Sequence, residues 1–530
     1  KKITIDMKTS IRIILLLLCV INAYSQSHLS ALIPRPNSIV QETGKPFKVD
    51  IHKTSIYINH PDLTFSAQTL QQIFKEQMQT DVSLSQNPSA TIQLLISPQM
   101  EGDEHYYLHV KKDKIQIKGK SPRAVFYGIM TLHQLLLGDV CSTQQKRIVP
   151  ITIDDAPRFP YRALMIDPAR HFIPVEDVKF YIDQMARYKY NALQLHLTDD
   201  QGWRIEIKKY PQLASTEHYT QDELRDLIAY AALRNIEIIP EVDVPGHTVA
   251  ILAAYPELGC TSSQNITKEV GKTTNLMLCA SNKKVYEVYQ HILGEVADLF
   301  PSQYIHLGGD ESVIDTNWGQ CEHCQALMKQ LGYTKTSQLM IPFFDQMLAI
   351  LEKKEKSPIL WCELDNIYPP VTDYLFPYPK SVTLVSWRGQ LTPSCLEFTA
   401  QSGHALIMAP GEYAYLDYPQ LKGDLPEFNN WGMPVTTLKR CYEFDPGYGV
   451  SPTKQNHIQG IMGTLWGEAI QDINRLTYMT YPRALALAEA GWTQLEHRDW
   501  KSFKQRLYPN LTWLMKKGVS IRVPFEIARE

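Results

Sequence analysis

Two rhythms of apolar and polar positions run along the chain. In its first part, residues 106–110 and 114–117 alternate apolar with polar as half-buried strands do, while residues 63–78 and 122–137 carry apolar side chains at helical spacing. No strand-helix repeat runs through this stretch, so it predicts a small α+β domain over residues 26–155. Asp154, Asp155, Pro157 and Pro160 mark its end.

From Tyr161 the rhythm changes to apolar strand, polar tip, helix. Residues 163–166 run into Asp167, and Pro174 opens a segment with Val178, Tyr181, Ile182, Met185 and Ala186 on one face. Residues 192–197 lead to Thr198, Asp199 and Asp200. Thr220 and Glu223 form a capping box before the next helix, after which residues 236–240 reach Glu241, Asp243 and His247. Ser281 or Asn282 caps a helix with Val285, Val288, Ile292 and Val296 inward, and residues 303–305 then deliver His306-Leu307-Gly308-Gly309-Asp310-Glu311. Further strands at 358–360, 382–385, 405–409 and 460–465 end near Trp361, Trp387, Tyr415 with Asp417, and Trp466 with Glu468. Eight such units predict an α/β fold, a (β/α)8 TIM barrel over residues 156–500, with residues 501–530 as a helical tail packed on it.

Composition narrows the partners. A net charge of -3 supplies no basic stripe for nucleic acid, and a neutral small molecule or sugar fits better. Lys8 and Arg12 precede the apolar run 13–21, and Ala23-Tyr24-Ser25 offers the small residues a signal peptidase needs. Residues 1–25 therefore read as an export signal, with the mature protein expected in the periplasm, at the cell surface or secreted. The run is far short of the ~20 apolar residues of a membrane span, and Cys19 lies inside it without the small residues that lipid attachment needs. Among the later cysteines, Cys260 and Cys279 flank one loop and are expected to form a bridge. Cys321 and Cys324 have metal-like spacing, but zinc takes four ligands and no second pair follows nearby, so a local bridge or free thiols are expected there.

The chemistry concentrates at residues 306–311. Gly308 and Gly309 clear room for close backbone approach, and Asp310 and Glu311 then stand at the carboxyl end of a strand, where α/β barrels keep their active sites. An acidic helix start is the plain alternative. The other strand ends contribute Arg162, Asp167, Arg170, His171, His196, Asp199, Asp200, Asp243, His247, Trp361, Trp387, Tyr415, Asp417, Trp466 and Glu468. Carboxylates among aromatic walls suit a sugar ring, whose faces are apolar and whose rim is hydroxyls. A metal-dependent hydrolase would want paired histidines at a strand end, which Gln194-Leu195-His196 does not supply, so neither a catalytic metal nor a cofactor is expected. A non-catalytic carbohydrate-binding barrel would explain the aromatics but has no need of a glycine-led Asp-Glu pair.

Four ordered motifs, RALMIDPARHF at 162–172, HLTDDQGWR at 196–204, EVDVPGH at 241–247 and HLGGDE at 306–311, resemble the β-N-acetylhexosaminidases of glycoside hydrolase family 20. The likeness begins with Ile33-Pro34-Arg35-Pro36 in the first domain and runs through the barrel. Ala163 stands where the family usually has Gly, and Gln194-Leu195-His196 where it often has His-Trp-His. The resemblance implies an exo-acting, retaining, substrate-assisted hydrolase of terminal β-linked N-acetylhexosamine, an alternative being an inactive homologue. It implies that Glu311 is the general acid and base, that Asp310 holds the substrate acetamido group and that Tyr415 donates to the acetamido carbonyl. Trp361, Trp387 and Trp466 would box the sugar, with Trp431 closing the box. Arg162 and Glu468 would bind outer hydroxyls, with Asp417 on the rim and Asp199 and Asp200 nearby. His247 with Asp243 or Asp200, and His306, would steady the acids.

Overall fold

The structure, a computed structural model, describes residues 29–138, 144–260, 276–363, 379–422, 424, 433–448, 450–451 and 455–528. The expected export signal, Cys19, Cys141 and Trp431 lie outside these residues.

One compact unit takes in the chain up to Arg158 together with Trp492–Ile521. Its strands are β1 (Ser38–Gln41), β2 (Phe47–Lys48), β3 (Ser55–Ile58), β4 (Ser83–Ser85), β5 (Ile92–Ile96), β6 (Tyr106–Val110), β7 (Ile115–Gly119), β8 (Arg147–Ile148) and β9 (Ile151–Asp155). Seven of them form a mixed sheet in the order β1-β9-β6-β7-β5-β3-β4, and β2 pairs with β8. Strands β6 and β7 alternate buried with half-buried residues, as their sequence does. The helix Pro122–Gly138 is buried almost all round because the sheet covers one side of it and the helix Trp500–Lys516 another.

That second contact corrects the expected tail. Within this unit Arg506 donates to the Leu32 carbonyl at 2.7 Å, Asn510 to the Ala31 carbonyl at 2.9 Å, and Trp513 meets the His133 ring at 4.9 Å. Buried carbonyls at 31 and 32 need donors, and the returning chain supplies them. The C-terminal helix therefore belongs to the first unit.

The other unit spans Phe159–Gly491 with Arg522–Glu526. Strands β10 (Tyr161–Ile166), β11 (Ala192–His196), β12 (Glu237–Val244), β13 (Tyr304–Gly308), β14 (Ser357–Trp361), β15 (Thr383–Ser386), β16 (Leu406–Met408) and β17 (Ile458–Leu465) close into a barrel in sequence order. All neighbours are parallel, and β17 returns to β10. This is the (β/α)8 TIM barrel that the strand-helix rhythm predicts. Helix starts follow the expected chemistry: Pro174 precedes Val175–Arg187, and Thr220 and Glu223 make a reciprocal capping box on Gln221–Leu233. Asn282 accepts the Lys284 amide at the start of Lys283–Leu299.

The lumen is packed with Ala163, Met165, Ala192, Ile239, Ile359, Trp361, Val385, Ile407, Ala409 and Met462. Side chains alternate along a strand, so each of these fixes which later residues also face inward. Counting in twos from Met165 gives Asp167, from Ala192 His196, from Ile239 Glu241 and Asp243, from Trp361 Glu363, from Val385 Trp387 and from Met462 Trp466. The polar layer at the carboxyl end is thus the apolar lumen continued upward. The expected Cys260–Cys279 bridge is not formed: both are free thiols, as are Cys321 and Cys324. No helix among the described residues is long and apolar enough to cross a membrane.

Candidate active site

Glu241 sits at the centre of the polar layer. Its carboxylate is fully buried, accepts from the Trp361 indole at 2.9 Å and from Gln194 at 2.8 Å, and faces His196 at 2.9 Å and His306 at 3.2 Å. Burial alone would raise its pKa, but the two imidazoles hold it well below the carboxylate range. His196 is engaged at both ring nitrogens, by Glu241 and by Asp199 at 2.7 Å, and although burial pushes its pKa down, these carboxylates keep it well above normal. Ligand atoms of His196, Glu241 and Asp243 lie within 4.8 Å of one another, and the His196 ring joins the Glu241 carboxylate to that of Asp199.

Asp199 is the second hub. It takes Arg170 at 2.7 Å, His196 at 2.7 Å and His247 Nδ1 at 3.3 Å. Burial would raise its pKa, but Arg170 and His247 hold it well below normal. The other nitrogen of His247 points at both acids, 3.7 Å from Asp310 and 3.9 Å from Glu311. Burial lowers the pKa of His247, yet Asp199 and then Asp310 keep it well above normal, so the ring is a cation between the acids and the hub. The expected pairing of His247 with Asp243 or Asp200 is corrected: its partner is Asp199. Asp200 instead accepts the Val249 amide at 3.1 Å, and burial followed by the charge on Asp199 raises its pKa.

The acid turn is shaped by close approach. Gly308 adopts φ +65°, and a Cβ there would fall 1.7 Å from an Asp243 oxygen, so β13 can pass Asp243 only as glycine. Asp243 accepts the Gly309 amide at 3.2 Å, and burial and then Asp310 push its pKa well up. Glu311 has φ 47°, a left-handed backbone that costs a non-glycine residue about 1–2 kcal/mol. The result is a recessed Asp310 and a projecting Glu311, with side chains 8% and 45% exposed. Arg388 lies 3.6 Å from Glu311 and 3.3 Å from Glu363. Burial pushes Glu363 up to about 8 against the pull of Arg388.

Aromatic rings wall this space. Trp361 packs on Trp466 at 5.7 Å, Trp466 lies 6.4 Å from Tyr415, and Tyr415 stacks parallel to Trp387 at 6.5 Å. Arg170 lies over Trp466 at 5.0 Å and Arg388 over Trp387 at 3.9 Å. The Tyr415 hydroxyl and one Asp310 oxygen are buried without a well-formed hydrogen bond inside the protein. Opposite charges meet again at the rim, where Arg170 is 3.9 Å from Glu468. Burial raises the pKa of both Glu468 and the neighbouring Asp417, and each carboxyl is kept nearer neutrality than a surface acid.

Several expected roles change place. Arg162 is at the start of β10, on the face turned from the lumen, and donates to the carbonyls of Lys189 and Phe159 at 2.9 and 2.7 Å. It is a structural arginine at the wrong end of the barrel for a substrate. Arg170 stands at the right end, held by Asp167 at 3.0 Å and Asp199. Asp199, Asp200 and His306 are buried supports, not walls; His306 faces Glu241 and its ring lies tilted against Trp361 at 4.8 Å. Asp417 is buried beside Glu468. Glu241, Glu363 and Arg388 belong to the site and were not among the assigned roles; the signal for Glu241 and Glu363 is a charged residue in lumen phase at, or just past, a strand end, whereas Arg388 follows the lumen-facing Trp387 by one and that count does not find it.

A closed parallel barrel with a glycine-led Asp-Glu pair under aromatic walls defines a glycosidase. Comparison makes this specific. The profile for glycosyl hydrolase family 20, catalytic domain, matches residues 159–495, and that for domain 2 of the same family matches residues 29–156. A β-hexosaminidase of Akkermansia muciniphila is 37% identical over 456 residues, covering 82% of this chain and 89% of its own. One of Porphyromonas gingivalis is 34% identical over 517 residues, 93% of this chain and 64% of that longer protein. The structure of a family 20 exo-β-N-acetylglucosaminidase from Vibrio harveyi in complex with N-acetylglucosamine superposes with a TM-score of 0.81 at 32% identity, covering 94% of this chain and 79% of that one. The chain belongs to glycosyl hydrolase family 20, and it is an exo-acting β-N-acetylhexosaminidase of that family.

Proposed function

We propose that the enzyme releases terminal β-linked N-acetylhexosamine with retention, the substrate's own acetamido oxygen acting as nucleophile. The observation that carries this reading is the disposition of Asp310 and Glu311, adjacent in the chain and both beside one nitrogen of His247. A retaining pair of enzyme carboxylates must face each other ~5 Å apart across the anomeric carbon. Two carboxylates that meet one nitrogen approach the sugar from the same side. Glu363, which shares Arg388 with Glu311, is held protonated through neutrality, and a protonated carboxyl is a poor nucleophile. The nucleophile then comes from the substrate.

The roles follow from exposure. Glu311 projects and protonates the leaving oxygen, then takes a proton from water. Asp310 is recessed and accepts the acetamido N–H, opposing the positive charge that grows on nitrogen as its carbonyl oxygen attacks. Tyr415 donates to that oxygen, and Trp361, Trp387 and Trp466 enclose the ring. Arg170 and Glu468, with Asp417, take the outer hydroxyls. NMR observation of the first anomer released tests this: the β anomer is expected, and initial α anomer overturns it. Replacement of Glu311 by Gln should slow poor leaving groups far more than activated aryl groups.

Export belongs to the same reading. The apolar run before Gln26 supports it, and N-terminal sequencing of protein from its native host should find a start near Gln26; an intact run at 13–21 contradicts it.

A further inference from the structure

Outside the carbohydrate site, four cysteines from two loops converge. Cys260 and Cys279 lie on the two arms of the loop that follows β12, joined by a bridge between Gly259 and Leu278 and by the Cys279 amide donating to the Leu258 carbonyl at 2.9 Å. Cys321 and Cys324 come from the loop after β13, one as the cap and one in the first turn of the helix Glu322–Gln330. Their four sulfurs all lie within 4.8 Å of one another. Cys279 Sγ is 3.5 Å and Cys260 Sγ 3.8 Å from Cys324 Sγ.

These distances discriminate. A disulfide holds its sulfurs at ~2.05 Å. Four thiolates around one zinc at ~2.3 Å form a tetrahedron whose edges are ~3.8 Å. The 3.5 and 3.8 Å separations lie near that edge and far beyond a disulfide bond. Ser281 adds a hydroxyl 3.2 Å from Cys279 Sγ and 3.5 Å from Cys324 Sγ, the kind of outer contact that orients thiolate ligands. Cys279, Cys321 and Cys324 are buried, as in a closed structural site.

We propose that Cys260, Cys279, Cys321 and Cys324 bind one structural zinc ion. Binding is not a redox step: the four thiols each release a proton to solvent, and zinc accepts four sulfur lone pairs. The second pair that a zinc site requires lies upstream of Cys321 in the sequence and arrives through the fold. The ion clamps the two loops that present His247 and the Asp310-Glu311 turn. That clamp extends an existing one, since the Leu278 amide donates to the Pro245 carbonyl at 3.0 Å and the Trp318 indole to the Leu278 carbonyl at 2.7 Å.

The test uses the full-length chain purified without metal-affinity resin or chelator from zinc-supplemented medium. Elemental mass spectrometry should find about one equivalent of zinc per chain, and cobalt substitution should give the strong red absorption of tetrahedral thiolate ligation. Cys321→Ser and Cys324→Ser should each lose the metal, while Cys441→Ser, remote from the cluster, should keep it. Iodoacetamide should label the four thiols only after chelation or unfolding. Should the serine variants fail to fold, metal content and the cobalt spectrum of the unaltered chain decide alone. Metal-free protein with four freely reactive thiols overturns the proposal, and so does a mass deficit showing disulfides among these cysteines.

Discussion

Arg162 is the second residue of β10 and Arg170 lies past its other end, and their surroundings give them different consequences. Arg162 spends its guanidinium on the carbonyls of Lys189 and Phe159, whereas Arg170 is balanced by Asp167, Asp199 and Glu468 at the mouth of the lumen. Arg162→Gln should therefore cost about 1–3 kcal/mol of stability by orphaning buried carbonyls, with KM unchanged. Arg170→Gln should lower kcat/KM by on the order of 10²-fold or more, because it frees the acid hub as well as the rim. Steady-state kinetics and melts on both variants check this; a raised KM in the Arg162 variant alone contradicts it. Glu363 carries a pH signature. Its folded pKa, about 8, stands above the ordinary glutamate value of 4.5, so the folded state holds a proton that the unfolded chain has released. Stability should fall as pH rises between those values, with a total cost on the order of 5 kcal/mol. Glu363→Gln should flatten that fall in urea melts from pH 5 to pH 9, and an unchanged slope would remove Glu363 as its source.

At the scale of elements, the site is a consequence of strand phase. Ala163 and Met165 face the lumen, so Asp167 does too and Arg162 does not; the same count from Ile239 brings in Glu241 and Asp243, and from Trp361 it brings in Glu363. These assignments are legible in the sequence once one lumen residue per strand is known, and they correct the choice of Arg162. The eight strands, the helix caps and the acid turn are legible without that help, because periodicity and capping chemistry are local. Loop paths are not local. That His247 meets Asp199, and that Cys260 and Cys279 meet Cys321 and Cys324, depends on how loops after different strands fold over one another. The acid turn gives this scale its prediction. Gly308→Ala places a Cβ 1.7 Å from Asp243 at φ +65°, so the turn must move, and activity should fall by on the order of 10²-fold. Adding Asp243→Ala should restore folding stability in part without restoring rate. A Gly308→Ala enzyme with full activity would show that the approach of β13 to Asp243 is not as described.

For the molecule as a whole, chemistry is confined to one unit. The first unit invests its buried polar groups in its own closure: Asp155 accepts the Tyr106 hydroxyl at 2.7 Å, the Trp492 indole at 2.9 Å and the Asn37 amide at 2.9 Å. The second unit gathers one cluster of buried charges at the carboxyl end of the barrel, where Glu241, His196, Asp199, Arg170 and His247 form a chain of opposite charges ending at the two acids. The central claim is that this end of the barrel supplies no nucleophile and lets the substrate attack itself. It is tested most directly by kcat/KM for aryl glycosides whose acetamido group carries none, one, two or three fluorine atoms. Fluorine withdraws electrons from the carbonyl oxygen, so substrate assistance predicts a steep, progressive fall, on the order of 10²-fold or more across the series. A rate indifferent to fluorination would mean that an enzyme carboxylate attacks, and would contradict the account.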